Sequence, residues 1–207
     1  FADYVGSLIG IGSPAFCHRD EVPDAAKRFH AGTLSCQTKN ADGLCAILSD
    51  FFRVPVEVEE FVGHWMELPD NCRTQLGRSL SSGKLGHGAV VGRRVWECQH
   101  KFRIVVGPVG YDDYRRLLPG GTSLKKLVAL VKNYIGDELE WDVELALPAR
   151  EAVPVRLGES GQLGWTTWMS PNYPADSHRR DARFSPAERV ARRRKIQQGN
   201  DNGRHQS

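Results

Sequence analysis

No apolar run in this chain is long enough to cross a membrane as a helix, so the integral helical membrane classes drop out. There is no C-x-x-C pair. The five cysteines (Cys17, Cys36, Cys45, Cys72 and Cys98) are odd in number and widely spaced, a poor disulfide framework. Reduced thiols in a cytoplasm are the expectation. No Gly-Lys-Ser/Thr phosphate loop occurs, and the visible start, Phe1–Ile11, shows no signal-peptide pattern and already reads as folded sequence. Because the chain opens on Phe1 in place of Met, we expect a fragment of a longer reading frame. Large charge of one sign is also missing, with a formal net of +3 over 207 residues. That charge is unevenly placed. From Pro171 onward there are nine Arg/Lys and four Asp/Glu, net +5, which leaves residues 1–170 at −2. The body therefore carries no nucleic-acid signature.

The chain does have enough length and enough apolar residues for a core. Hydrophobic residues make up 40% and charged residues 26%, ordinary values for a globular protein. A chain of this size removes roughly 70% of its unfolded surface from water, so it needs neither disulfide nor metal to fold.

Periodicity gives an α+β reading, with short helices packed on small mixed or antiparallel sheets. A helix ends within Asp3–Ile11, and Pro23–Ala31 reads as a short helix closed by Gly32. Asp42–Phe52 is a stronger helix, with Leu44, Ile47, Leu48 and Phe51 on one face. Val54, Val56 and Val58 alternate with Pro55, Glu57 and Glu59, the period of a strand. Leu76–Gly92 reads as a long loop, Lys101–Val106 as a strand and Asp112–Leu118 as a short helix. A clear helix follows, capped by Ser123, striped by Leu124, Leu127, Val128, Val131, Tyr134 and Ile135, and stopped by Gly136. In the next strand Leu139, Trp141, Val143, Leu145 and Leu147 face the core, and Glu138, Glu140, Asp142 and Glu144 face away. A last strand is expected over Leu163–Met169. Pro171–Ser207 reads as a disordered basic tail, so the body is residues 1–170.

Three patterns bear on chemistry. The carboxylates of Glu138, Glu140, Asp142 and Glu144 repeat roughly 6.5–7 Å apart along a strand face, a spacing that suits paired acids. The plainer reading is a solvated or cross-paired face, with Lys101 and Arg103 as partners if the two strands are neighbours. Cys98 and His100 share a strand face near basic residues, which is conceivable as a nucleophile and base, but no oxyanion or orienting motif accompanies them. Scattered cysteines with His18, His30 or His64 offer no short metal-ligand pair. Gly6–Gly12 and Leu118–Gly121 read as turns rather than phosphate cradles. The run Arg192-Arg193-Arg194-Lys195 suits nucleic acid, anionic lipid or an acidic protein surface, or is simply a solvated end. We expect no catalytic residue, no cofactor and no metal.

Several segments in order carry a resemblance: Gly32-Thr-Leu; Gly43-Leu44 through Leu48-Ser-Asp-Phe-Phe52; Val54-Pro-Val56; and Phe61-Val-Gly-His-Trp65. Leu85-Gly86 then precedes Val91-Gly-Arg-Arg-Val-Trp96 and Lys101-Phe-Arg103. Gly107-Pro108, Tyr114-Arg-Arg-Leu-Leu-Pro-Gly-Gly121, Tyr134-Ile-Gly136, Glu140-Trp-Asp-Val143, Leu157-Gly158 and Leu163-Gly-Trp165 with Trp168 complete it. Together they resemble the C-terminal part of the type VI secretion baseplate family TssG, also called ImpH or VasB, over about residues 1–170. The resemblance implies a cytoplasmic wedge subunit built with two copies of TssF. It also implies docking of TssK trimers through loops, at the cytoplasmic side of the bacterial inner membrane. It implies no cofactor or catalytic residue. The basic tail is not part of the family pattern.

Such a subunit needs large interface anchors. Of the five tryptophans, Trp141 reads as core, while Trp165 and Trp168 lie near the end of the body and are candidate interface residues. Core packing is the competing reading for both. Leu85 and Gly86, inside the long Leu76–Gly92 loop, are the other candidates. The alternative functions are an enzyme using the strand carboxylates or the Cys98/His100 pair, and a nucleic-acid or anionic-surface binder acting through the tail.

Overall fold

The computed structural model describes residues 1–74, 92–155, 161–169 and 177–186. They form two compact units. One is built from Phe1–Glu60 and the chain from Phe102 onward, and the other is Phe61–Lys101.

The first unit starts with three short helices, α1 (Ala2–Leu8), α2 (Asp24–Phe29) and α3 (Ala31–Ser35). Gly32 lies inside α3, so the expected glycine stop is absent there. α2 ends instead at His30, whose amide donates to the Ala26 carbonyl. α4 (Ala41–Phe52) follows, with Leu44, Ile47 and Leu48 buried. Its N-cap is Asn40, whose Oδ1 accepts the Gly43 amide at 2.9 Å. Its end is Arg53, in a left-handed conformation at φ +57°.

Strand β1 (Val56–Glu59) begins directly after Pro55. The strands β2 (His64–Glu67) and β3 (Arg94–Glu97) belong to the second unit, and β4 is Lys101–Val106. β4 leads through Gly107, at φ +127°, where a Cβ would run into the Ala146 carbonyl and lie 3.0 Å from the Val109 amide nitrogen. α5 (Tyr111–Leu117) and α6 (Thr122–Ile135) come next. The N-cap of α6 is Gly121 and no side chain caps it, so Ser123 is a helical residue and not the cap expected from sequence. β5 spans Glu140–Pro148. Leu139 precedes it and is exposed, outside the core face assigned to it.

The sheet order is β1-β4-β5-β6, with β6 at His178–Phe184. Two expectations fail here. Leu163–Met169 is not a strand: Gly164 turns the chain at φ +80°, and only Trp168 bridges, to Pro154. Residues 178–184, expected to be disordered, pair antiparallel with β5. That strand was illegible because only Ala182 and Phe184 in it are apolar and buried, among three arginines. Residues 187–207, with the run Arg192–Lys195, lie outside the described residues, as do Leu85 and Gly86.

Register explains the core. Val56 and Val58 stand opposite Val106 and Ile104, so these four residues of β1 and β4 share a face. That face, with Trp141, Val143, Leu145 and Leu147 from β5, packs with Leu44, Ile47 and Leu48 of α4 and Leu127, Leu130, Val131 and Tyr134 of α6. Each such side chain contributes about 1.5–3 kcal/mol when fully buried.

Candidate partner interface

The other face of the sheet carries charge. Glu59 on β1 stands opposite Arg103 on β4, and Glu144 on β5 opposite Arg183 on β6. Arg103 Nη1 donates to Glu59 Oε2 at 3.1 Å, while Nε and Nη2 hold Asp142 at 2.6 and 3.2 Å. Arg183 Nε donates to Glu144 Oε2 at 3.0 Å, with Nη2 on the same oxygen, and Arg180 lies 3.7 Å from Glu144. The alternating ladder therefore crosses all four strands. Asp142 and Glu144 are only 7% and 4% exposed at their side chains. The cross-paired reading holds for these two, with Arg103 as the partner expected from sequence. Glu138 and Glu140 are exposed. The Asp142 hydrogen bond, opposed by burial and helped by the neighbouring carboxylates, raises the Arg103 pKa further above its ordinary value. Carboxylates clamped in this way tie neighbouring strands together.

His100 Nδ1 sits 3.4 Å from Glu97 Oε1, and no hydrogen bond to the half-buried Cys98 is among those of the described residues. The Gln99 amide holds the Glu97 carboxyl below its ordinary range against the opposing effect of burial, and His100 adds to the lowering. Among the described residues, no group of three His, Cys, Asp or Glu side chains is placed to hold a metal ion.

Trp165 and Trp168 are both packed against the core. Trp168 is buried, lies 6.0 Å from the Tyr114 ring, and donates from Nε1 to Asp181 Oδ2 at 2.9 Å. The Arg179 guanidinium sits 5.6 Å over its ring. Trp165 is half-buried and meets Phe184 edge-on at 5.3 Å, and its carbonyl accepts the Tyr114 hydroxyl at 3.2 Å. Burial pushes the Tyr114 phenol up to about 12.

The exposed tryptophans are found instead in the second unit. β2 and β3 form an antiparallel ribbon in which Trp65 stands directly opposite Trp96, rings 5.4 Å apart and edge to face. They are 62% and 56% exposed, and Phe61 and Met66 of the same unit are exposed as well. Gly63 permits this packing, since a Cβ there would lie 2.8 Å from Trp96 Cε2. Aromatic pairs left open to water in this way are the usual raw material of an interface hot spot. Sequence reasoning missed the pairing because each strand is four residues long, too short for a period to stand out. The available signal was two tryptophans flanking one long Gly/Ser-rich connection.

A model of the family described as type VI secretion, TssG, matches residues 1–170. No curated protein matches the chain. The fold is similar to a chain in the type VI secretion system TssK-TssF-TssG baseplate subcomplex seen by cryo-electron microscopy. The TM-score is 0.65 at 17% identity, over 88% of this chain and 78% of that one. It is also similar to a chain of the baseplate complex from the type VI secretion system, with a TM-score of 0.54 at 19% identity, over 87% of this chain and 51% of that one. Among the described residues no helix is long and apolar enough to cross a membrane.

Proposed function

Since the chain belongs to the type VI secretion TssG family, we propose that it is a non-enzymatic structural component of a type VI baseplate, assembling with TssF and docking TssK. The observation that carries this reading is the family match over residues 1–170. The fold similarity to a chain of a TssK-TssF-TssG subcomplex supports the choice of partners. The finer picture is a wedge containing two copies of TssF, with TssK trimers docked through loops, at the cytoplasmic side of the inner membrane. The Trp65–Trp96 ribbon, with its large exposed aromatic area, is the docking surface we assign to TssK. Trp165, Trp168, Leu85 and Gly86 remain the proposed secondary contacts.

The charged face supports a structural role. Its buried acids are spent on arginines that join strands, so they are poor candidates for acid/base catalysis. Co-expression with TssF and TssK from the same genome tests the proposal. Stable co-purification of all three is expected, and a chain that captures neither partner would sink it.

A further inference from the structure

β6 is one of the two edge strands of its sheet among the described residues. It lies at the edge, with β5 as its strand neighbour, and the ladder between them is interrupted between Leu145 and Leu147. Its chain connection to the rest of the described fold runs through residues 170–176, and no other described strand lies beyond it in the sheet order. Two of the cations that hold it to Glu144, Arg180 and Arg183, are each about half exposed. It also lies outside the residues that match the family. Yet it sits on Trp165 through Phe184 and on Trp168 through Asp181 and Arg179.

We infer that β6 is an exchangeable latch: an intrachain strand on the β5 edge and on Trp165 and Trp168, which an extended partner segment of the same chemistry replaces. The occupant is specified by what β6 itself supplies. A vacated β5 edge presents unpaired backbone N–H and C=O groups, so the incoming segment must be a strand. Glu144 would lose Arg183 and Arg180 and keep, among the described residues, the 3.9 Å approach of Arg103, so the segment must bring a cation to it. The sites of Ala182 and Phe184 call for a small residue and an aromatic one on the inward face. With the latch engaged, Trp165 and Trp168 are withheld from partners. With it released, they join the interface. Only the identity of the partner rests on the baseplate reading above.

The full chain with a protease site placed within residues 170–176 tests this. After cleavage, a fluorescent peptide spanning residues 177–186 is added in excess, and exchange is followed by anisotropy and tryptophan fluorescence. The peptide should displace the released strand while the far-UV spectrum of the body persists. A peptide carrying Arg183→Glu should compete about tenfold less well or worse, because it sets two carboxylates against each other. A cut chain that holds its own strand against any excess of peptide would make β6 a permanent core strand and overturn the latch. Loss of the body's far-UV spectrum when the strand leaves would overturn it as well. A second measurement locks the latch with Leu145→Cys and Ala182→Cys, which are register partners, in a background where exposed Cys36 and Cys72 are serine. Oxidation should weaken capture of TssF or TssK, and reduction should restore it. Equal capture in both states would refute the regulatory role. Absence of capture by the unmodified chain would refute the baseplate proposal and leave the peptide-exchange result standing on its own.

Discussion

Arg103 on β4 grips both oxygens of Asp142 on β5, through Nε at 2.6 Å and Nη2 at 3.2 Å, while its Nη1 reaches Glu59 on β1. One guanidinium therefore ties three strands. The three acids near it are not equivalent. Glu59 is about half exposed, and such pairs are worth about 0–1 kcal/mol. Asp142 is buried, and removing Arg103 takes the two-pronged contact from a buried carboxylate, while Glu144 keeps Arg183. Arg103→Met should therefore cost about 3–5 kcal/mol in urea unfolding, whereas Glu59→Ala should cost about 1 kcal/mol or less. Equal effects from the two substitutions would mean that the ladder is a surface decoration. Arg103→Lys should fall between them, since a lysine cannot make the two-pronged contact.

A second polar cluster ties the α2 region to α6. Burial pushes the Asp20 carboxyl up, but hydrogen bonds from Asn133 Nδ2 and Lys27, together with the Val22 amide, outweigh it and hold the pKa below its ordinary value of 3.8. A depressed carboxyl pKa stabilises the fold above the unfolded pKa and loses that contribution as pH falls through the folded value. Asn133→Ala removes one of the bonds responsible. Its destabilisation should be fully present near pH 6 and should shrink as pH falls through about 3.8 and below. Thermal melts of both proteins across that range measure it. A difference that stays constant with pH would rule out Asp20 as the group concerned.

Gly43 sits in the first turn of α4, where alanine would ordinarily gain up to about 1 kcal/mol in helix propensity. Here a Cβ would lie 2.7 Å from Asn40 Oδ1 and run into the Tyr134 hydroxyl. That hydroxyl accepts the Asn40 amide at 3.2 Å and donates to Asn40 oxygens at 3.2 Å, which fixes the cap of α4 to α6. Losing the cap costs about 1 kcal/mol, and each lost hydrogen bond about 0.5–1.5 more. Gly43→Ala should therefore lower stability by about 1–2 kcal/mol despite its better propensity. A stabilised variant would show that the junction yields without cost.

Where the period was long and clean, sequence and structure agree. Ile47 and Leu48 of α4, Leu127 and Val131 of α6, and Trp141 to Leu147 of β5 were all readable, because each element spans enough residues for burial to impose a repeat. The Asn40 cap was missed, and Ser123 was wrongly given a capping role, because a cap depends on one residue's dihedral angles and leaves no repeat to count. β6 was missed for a different reason. Its attachment depends on Glu144, thirty-nine positions away from Arg183, and an arginine satisfied by a distant acid looks in sequence like an arginine in water. The interface candidates divide in the same way. Trp168 stands near the end of the apolar pattern, which left it open between interface and core, and β6 returns to cover it. Trp65 and Trp96 gave no sign of facing each other until the ribbon register was known.

That register supplies the last prediction. Trp65 and Trp96 keep more than half of their surface in water, so truncating one removes little buried area. What is lost within the chain is the edge-to-face pair, worth about 0.5–1.5 kcal/mol and confined to the β2–β3 ribbon. The core of the other unit contains neither residue. Trp65→Ala should therefore leave unfolding of that core, followed by urea and far-UV circular dichroism, unchanged to within about 0.5 kcal/mol. Binding should respond much more strongly. If the ribbon is where TssK docks, each tryptophan is an aromatic anchor whose truncation costs about 2 kcal/mol or more, roughly thirtyfold in Kd. Trp141→Ala is the opposite control. It empties a buried site stacked on Phe102 and should cost about 3–5 kcal/mol of stability. The discriminating measurement is TssK affinity by calorimetry or interferometry, with stability of the same samples recorded alongside. Unchanged TssK affinity in Trp65→Ala and Trp96→Ala, with both proteins folded, would remove the ribbon from the interface and leave the covered Trp165 and Trp168 as the remaining aromatic candidates.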